Sequence, residues 1–181
     1  MSAARACFSA HGYAATTIEL IAAESGASNG SIYHHFGSKD GILAALYSEA
    51  LATYQEETLA VLAAAGSAEA GIRGVVVHHL EWVGAHPEMT RTLFEHRQTL
   101  ERTAHADAIR EQNRAALDQV AAWLARHVEA GTVRDLGAAT AAVWLGPAQA
   151  VARDWIAGRM RGAPSRLAEP LAEAAWRSFA A

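Results

Sequence analysis

The chain has 181 residues, of which 51% are hydrophobic and 19% are charged, and its formal net charge at pH 7 is −4. This composition is typical of a globular protein and excludes a disordered chain. Cys7 is the single cysteine, which excludes a disulfide framework and a cysteine-ligated zinc site. No apolar stretch reaches the length of a membrane span and residues 1–13 lack a signal-peptide pattern, so we expect a cytoplasmic protein without membrane contacts.

Apolar residues recur at helical spacing along the whole chain, and no alternating run is long enough for a strand. Alanine, the best helix former, is abundant throughout. We therefore predict an all-α fold of about nine helices. They are placed at about residues 3–11, 17–25, 28–35, 39–65, 69–84, 87–94, 100–130, 136–158 and in the remaining C-terminal segment.

The second and third predicted helices form a helix-turn-helix over about residues 17–36. Thr17 is a favourable N-cap, and Gly26 suits the left-handed position that ends a helix. A small apolar set can lock the two helices together at a steep angle. Its members are Ile18, Ile21, Ala22, Ala27, Ile32 and Phe36.

The first 50 residues resemble the signature of TetR-type (TetR/AcrR) transcriptional regulators in residue type and spacing. The matching positions are Thr17, Ile21, Ala22, Gly26, Ala27, Ser28, Gly30, Ser31, Ile32, Tyr33, His35, Phe36, Ser38, Lys39 and Leu43. The resemblance implies a three-helix DNA-binding domain over residues 1–47. A long helix would link it to a helical ligand-binding and dimerisation domain over residues 48–181. It further implies a homodimeric repressor that a small-molecule inducer releases from double-stranded operator DNA.

In that family the third helix enters the major groove, and the residue chemistry here suits this role. Asn29 can pair with adenine in a bidentate manner, and Gly30 lets the helix approach the base edges. Ser28 and Ser31 lie near a helix N-terminus, which favours a phosphate. The DNA-contact set is completed by Thr17, Tyr33, His34, His35 and Lys39.

Other readings of these residues stay open. Tyr33 alone could be a half-buried core residue, His35 could brace the third helix, and Lys39 could be an ordinary solvated charge. Residues 1–50 contain two Lys or Arg against four Asp or Glu, a net charge of −2 where a DNA-binding domain usually has a basic surface. The alternative function is a helical ligand-binding or interaction protein with weakened DNA binding.

The fifth to seventh predicted helices favour a ligand pocket of apolar side chains around a few polar groups. The candidate residues are His79, Trp82, Phe94, Asn113, Leu117 and Trp123. The ligand expected for such a lining is largely apolar with one or two hydrogen-bonding groups. The alternative is a plain helical core with satisfied histidines.

The last two predicted helices favour a dimer interface, because their large apolar side chains exceed what one small core needs. The candidate residues are Trp144, Ala148, Val151, Trp155, Leu167 and Leu171. Pro147 is expected to kink the first of these helices, since it lacks an N–H group.

Nothing in the sequence favours catalysis. The chain has no HExxH motif, no phosphate-binding glycine loop and no paired catalytic carboxylates in an apolar setting. His78, Glu81 and His96 could meet as metal ligands, but their spacing is not that of a known site. We therefore expect no enzyme activity, no cofactor and no metal.

Overall fold

The computed structural model describes all 181 residues, and the fold is all-α as predicted, with one isolated bridge between Val133 and Ala180. Short 3₁₀ turns at Gly137–Ala139 and Pro164–Leu167 precede the helices near the C-terminus. The helices are α1 Ser2–Ala15, α2 Ile18–Ser25, α3 Asn29–Phe36, α4 Lys39–Ala64, α5 Ala68–Ala85, α6 Pro87–Glu95, α7 Arg97–Leu100, α8 Ala106–Glu129, α9 Thr140–Trp144, α10 Gly146–Ile156 and α11 Ala168–Phe179.

Two of the predicted long helices are divided. The segment predicted as one helix from 100 to 130 breaks after α7, where the Thr103 hydroxyl donates to the Leu100 carbonyl and accepts from the His105 N–H. Such side-chain bonds compete with the helical ladder. The segment predicted at 136–158 breaks at Leu145, because Pro147 lies in the first turn of α10, where its missing N–H costs nothing.

The N-terminal part, residues 1–47, is called the head. Its core joins α1, α2, α3 and the start of α4, and α1 is kinked at Gly12. Ala27 is exposed, so the predicted packing between α2 and α3 forms without it. The core residues are Ala4, Cys7, Ile18, Ile21, Ala22, Ile32, Ile42 and Leu46, with Phe8 and Phe36 packed against them.

A larger core, called the bundle core, holds the C-terminal part together. Its centre is α5, which packs against α11, α4 and α10. The buried residues are Leu62, Ala68, Ile72, Val75, Val76, Leu80, Trp123, Val133, Trp144, Ala148, Ala168, Ala172, Ala175 and Phe179.

The 26-residue helix α4 belongs to both parts and spans about 39 Å. Leu43 and Tyr47, near its head end, pack with Leu100 of α7 in a third, smaller core. α4 therefore contributes residues to all three cores. No helix has both the length and the hydropathy needed to cross a membrane.

Candidate nucleic-acid interface and ligand cleft

The outer face of α3 is exposed along its whole length. Ile32 is buried and Phe36 is half-buried in the head core, and these two residues fix the helix on its inner side. The residues predicted to contact DNA that precede or lie on α3 are all exposed: Thr17, Ser28, Asn29, Gly30, Ser31, Tyr33, His34 and His35. The structure therefore brings these residues to one accessible side of the head, while their contacts with DNA stay a prediction.

The N-termini of α2 and α3 are capped by hydroxyls. The Ser28 hydroxyl accepts from the Ser31 N–H at 3.1 Å, and the Thr17 hydroxyl accepts from the Leu20 N–H at 3.3 Å. A hydroxyl that accepts a bond still has its own proton to donate. Both residues can therefore cap their helices and contact a phosphate oxygen at the same time.

The N-terminal end of α3 has small side chains on its surface, and large rings follow further along the helix. A Cβ added at Gly30 would meet only the Ser28 hydroxyl, at 4.0 Å, so internal packing does not demand glycine there. Tyr33 is 49% exposed, and the His35 ring packs edge-on against Phe36 with centroids 4.5 Å apart. His35 thus braces α3 through Phe36 while remaining exposed.

Lys39 has a structural role that the sequence analysis missed. Its ammonium donates to the carbonyls of Tyr13 at 2.8 Å, Thr16 at 2.9 Å and Ala14 at 3.4 Å, and lies 4.4 Å from the Tyr13 ring centroid. Lysine has three N–H donors, and these three carbonyls use them all. The predicted phosphate contact by Lys39 is untested, and it would cost at least one of these bonds.

Tyr13 connects the head with the end of α6. Its hydroxyl donates to Asp40, and its ring packs against His96 with centroids 5.7 Å apart. Desolvation and then the bond to Asp40 raise the pKa of Tyr13 to about 12, so the phenol keeps its proton. Tyr13 therefore joins α1 to the start of α4 by a hydrogen bond and to the residue after α6 by ring packing.

A cleft of about 600 Å³ opens between α4, α5, α6, α7, α8 and α10. Four of the predicted ligand-binding residues line it: His79, Trp82, Phe94 and Asn113. The remaining lining residues come from separate helices: Tyr47, Leu51, Tyr54, Val83, Thr90, Leu93, Glu95, Arg97, Gln98, Leu100, Glu101, Ala106, Ile109, Arg110, Gln149 and Arg153.

Two of the predicted pocket residues, Leu117 and Trp123, do not line the cleft. Leu117 is 57% exposed on α8 and does not line the cleft. Trp123 is buried in the bundle core, where its ring occupies the space that a side chain at Gly71 would fill. Beyond Asn113, no residue of α8 lines the cleft.

Two residues of the predicted dimer stripe on α9 and α10 lie inside the core of a single chain, and the interface itself stays a prediction. Trp144 is buried, donates its indole N–H to the Ile72 carbonyl at 2.9 Å and packs against Phe179. Ala148 is buried in the same core. An apolar stripe indicates burial without indicating whether the cover is the same chain or a partner. Of the predicted set, Leu167 is exposed, and Val151, Trp155 and Leu171 are half-buried.

The inner part of the cleft contains a buried pair of polar rings. The Tyr54 hydroxyl lies 2.9 Å from Nδ1 of His79. Burial, with a smaller contribution from His78, lowers the pKa of His79 to about 4, so the imidazole is neutral near pH 7. Burial raises the pKa of Tyr54 to about 12. No cluster of three or more potential metal ligands occurs, and His78, Glu81 and His96 do not form one.

Comparison with known proteins places these features in a family context. Residues 1–46 match the family described as bacterial regulatory proteins, tetR family. The HTH-type transcriptional repressor AcnR of Corynebacterium diphtheriae is 30% identical over 137 residues, which are 75% of this chain and 66% of AcnR. The matched segment spans between 25% and 66% of the length of the curated relatives compared.

Solved structures share the fold over almost the whole chain. The fatty acid degradation regulator FadR from Bacillus halodurans superposes with a TM-score of 0.80 at 21% identity, covering 96% of this chain and 94% of FadR. FadR from Bacillus subtilis, solved with stearoyl-CoA, has a TM-score of 0.77 at 16% identity, covering 98% and 96%. At these identities the likeness concerns the fold alone.

Proposed function

Because this chain belongs to the TetR family of bacterial regulatory proteins, we propose that it is a homodimeric transcriptional repressor, which binds operator DNA through α3 and is released by a small, mostly apolar ligand. The observation that carries the proposal is the exposed polar surface of α3. From Ser28 to His35 every position except the buried Ile32 is exposed, and these seven exposed positions are the candidates for DNA contact. Nothing in the head covers that face. The relatives are regulators rather than enzymes, which agrees with the lack of a catalytic motif.

We assign the DNA contacts by reach and chemistry. Asn29 reads a base edge, because it is the amide side chain at the start of α3. Tyr33 and His34 donate to phosphate oxygens on the groove wall, together with the free hydroxyl protons of Ser28 and Thr17. Lys39 holds the end of α1 in place and contributes its charge from there.

The two recognition helices of a dimer must lie about 34–36 Å apart to reach successive turns of the major groove. We propose that the outer sides of α10, α11 and the turn before α11 form the interface, since Leu167 in that turn is exposed and Trp155 of α10 is half-buried. Trp144 and Ala148 support this interface from behind, as part of the bundle core.

Ligand release follows from the position of α4. Tyr47, Leu51 and Tyr54, between the head end and the middle of this helix, line the cleft, and Asp40 in its first turn holds Tyr13 of the head. A ligand that prefers a tilted α4 changes the spacing of the two α3 helices. It shifts DNA affinity only by as much as it prefers that state, typically about 1–3 kcal/mol.

The direct test is selection of DNA from a pool of random duplexes by the purified chain. We expect an inverted repeat whose half-site centres lie about 10–10.5 base pairs apart, or a multiple of that spacing. Asn29→Ala should relax the preference at one base position, whereas Gln119→Ala, changed on the exposed surface of α8, should select the same sequence. Failure to enrich any repeat would refute the proposal.

One observation favours the alternative of a ligand-binding protein without strong DNA binding. Residues 1–50 have a net charge of −2, and the donors of Lys39 are already used. The same selection decides between the two, because a head without DNA affinity enriches nothing even when the cleft binds ligands.

A further inference from the structure

Three buried polar side chains on the cleft wall have a polar atom without a hydrogen-bond partner. They are Nε2 of His79, Nε1 of Trp82 and Oγ1 of Thr90. The three residues are only 5%, 3% and 0% exposed, and all of them line the cleft. Buried polar groups are almost always paired in proteins, so three unpaired ones on one cavity wall need an explanation.

The protonation of His79 makes its free nitrogen a donor. The phenol of Tyr54 keeps its proton near pH 7, and the partner of its hydroxyl is Nδ1 of His79. We assign the hydroxyl as the donor, because Nδ1 of His79 is the one acceptor that its proton meets. A neutral imidazole that accepts at Nδ1 has its proton on Nε2. His79 thus presents an N–H donor with no acceptor.

Trp82 presents a second donor, because an indole nitrogen can only donate. Thr90 differs from the other threonines of α4 and α6. Thr92, Thr53 and Thr58 each donate to the carbonyl four residues earlier, at 3.0, 3.0 and 2.8 Å. Thr90 lines the cleft and is fully buried, and its hydroxyl makes neither this bond nor any other.

The rest of the inner wall is apolar and uncharged. Leu51, Val83, Leu93 and Leu100 line the cleft together with the three donor residues. The cationic lining residues are exposed: Arg97 pairs with Glu101, Arg110 pairs with Asp107, and Arg153 makes no ion pair. A carboxylate placed among the inner residues would lose its hydration without gaining a buried cation.

We propose that this inner wall recognises the carbonyl oxygen of an uncharged, largely apolar ligand, such as a ketone, an ester or an amide. Two obligate donors and a hydroxyl match acceptor oxygens, and an uncharged acceptor avoids the desolvation cost of an anion. The inference names the ligand class for the cleft and rests on the proposed function only for its link to DNA release.

The test compares three probes with the same twelve-carbon skeleton, by calorimetric titration of the chain alone at pH 7. Hexanophenone has a ketone, hexylbenzene has no oxygen, and 6-phenylhexanoate has a carboxylate. We expect hexanophenone to bind at least tenfold more tightly than either of the others. A site whose buried donors are left unpaired rejects an analogue that lacks the acceptor.

Two variants locate the effect. Thr90→Val and Trp82→Phe remove one donor each and should reduce the preference for hexanophenone over hexylbenzene severalfold. Thr92→Val is the matched control on the same helix and should keep the wild-type preference. Without ligand, the Thr90→Val variant should unfold at the same temperature as the wild type or at a higher one, because the substitution removes a buried unpaired hydroxyl.

The proposal is overturned if hexanophenone fails to bind, if it binds no better than hexylbenzene, or if both variants keep the full preference. These outcomes are separate from those of the DNA selection, which does not involve the cleft. If 6-phenylhexanoate displaces selected DNA while hexanophenone does not bind, the repressor function stands and the ligand class is wrong. If hexanophenone binds as expected and leaves DNA affinity unchanged, the ligand class stands and ligand-controlled release is wrong.

Discussion

The head and the cleft present their candidate functional residues in opposite ways. In the head, the exposed candidate residues between Ser28 and His35 lie at the cap and on the surface of one short helix. In the cleft, the polar groups are buried and come from helices far apart in the chain, as Tyr54 and His79 illustrate. The comparison teaches that an exposed interface can be contained in one local motif, whereas an internal site is made by the tertiary fold.

The largest expected effect tests the burial of Trp144. Trp144→Ala should lower the free energy of unfolding by about 3–5 kcal/mol, because it leaves a cavity in the bundle core and removes the bond to Ile72. Chemical denaturation measures this loss. Trp155→Glu, at the proposed interface, should instead shift light scattering from dimer to monomer. If Trp144→Ala left stability unchanged, its place in the core would be wrong.

The second effect concerns pH and the cleft. His79 is neutral in the folded chain down to about pH 4, whereas an unfolded histidine takes up a proton near pH 6.5. The contribution of neutral His79 to the free energy of unfolding is therefore fully present above about pH 6.5, and this free energy should fall by roughly 3 kcal/mol as the pH decreases to 4. The free energy of unfolding, measured along this pH range, should change less steeply with pH in His79→Phe than in the wild type.

His11 is exposed in the head, and His11→Gln is the matched control. It should retain the wild-type dependence on pH between 6.5 and 4. An equal flattening in both variants would show that the cleft histidine is not the source of the effect.

The third effect separates two roles for Lys39. Lys39→Met should destabilise the chain by about 1–3 kcal/mol, because three carbonyls at the end of α1 lose a charged donor. If Lys39 does not contact a phosphate, the dependence of DNA affinity on salt should stay as in the wild type. A slope lower by about 0.9 would indicate a lost phosphate contact. Arg5→Met removes an exposed pair with Glu49 and should cost at most about 1 kcal/mol.

The smallest effect is on the DNA-facing surface. Tyr33→Phe removes only a hydroxyl from an exposed ring, so the thermal unfolding temperature should not change. Its affinity for all DNA sequences should fall alike, by about 0.5–1.5 kcal/mol, as expected for one lost hydrogen bond to phosphate. Fluorescence anisotropy on two different duplexes measures this, and a loss confined to one of them would contradict the assignment.

The head could be predicted from the sequence because its signals are local. The cap at Thr17, the left-handed turn at Gly26 and the buried Ile32 lie within 16 residues and specify one arrangement of α2 and α3. The bonds of Lys39 were not predictable in the same way. Its carbonyl acceptors lie more than 20 residues away, and an N-terminal lysine of a helix is usually solvated.

The cleft could be predicted only in part. The stripe of α5 that includes His79 is buried as expected, since periodicity is a reliable sign of burial. Periodicity does not state what covers a helix face. For that reason the pattern predicts an interface role for Trp144 and a pocket role for Trp123, although both pack inside the bundle core. Thr90 gave no signal at all, because a threonine within a helix usually bonds to its own backbone.

Ligand-controlled release of DNA is tested most directly by titrating hexanophenone into the chain alone and into its complex with the selected inverted repeat. Linkage requires that DNA weaken ligand binding by the same factor by which the ligand weakens DNA binding. The account predicts equal factors, of roughly 5 to 150-fold. Identical affinity of hexanophenone for the free chain and for the DNA complex would contradict it.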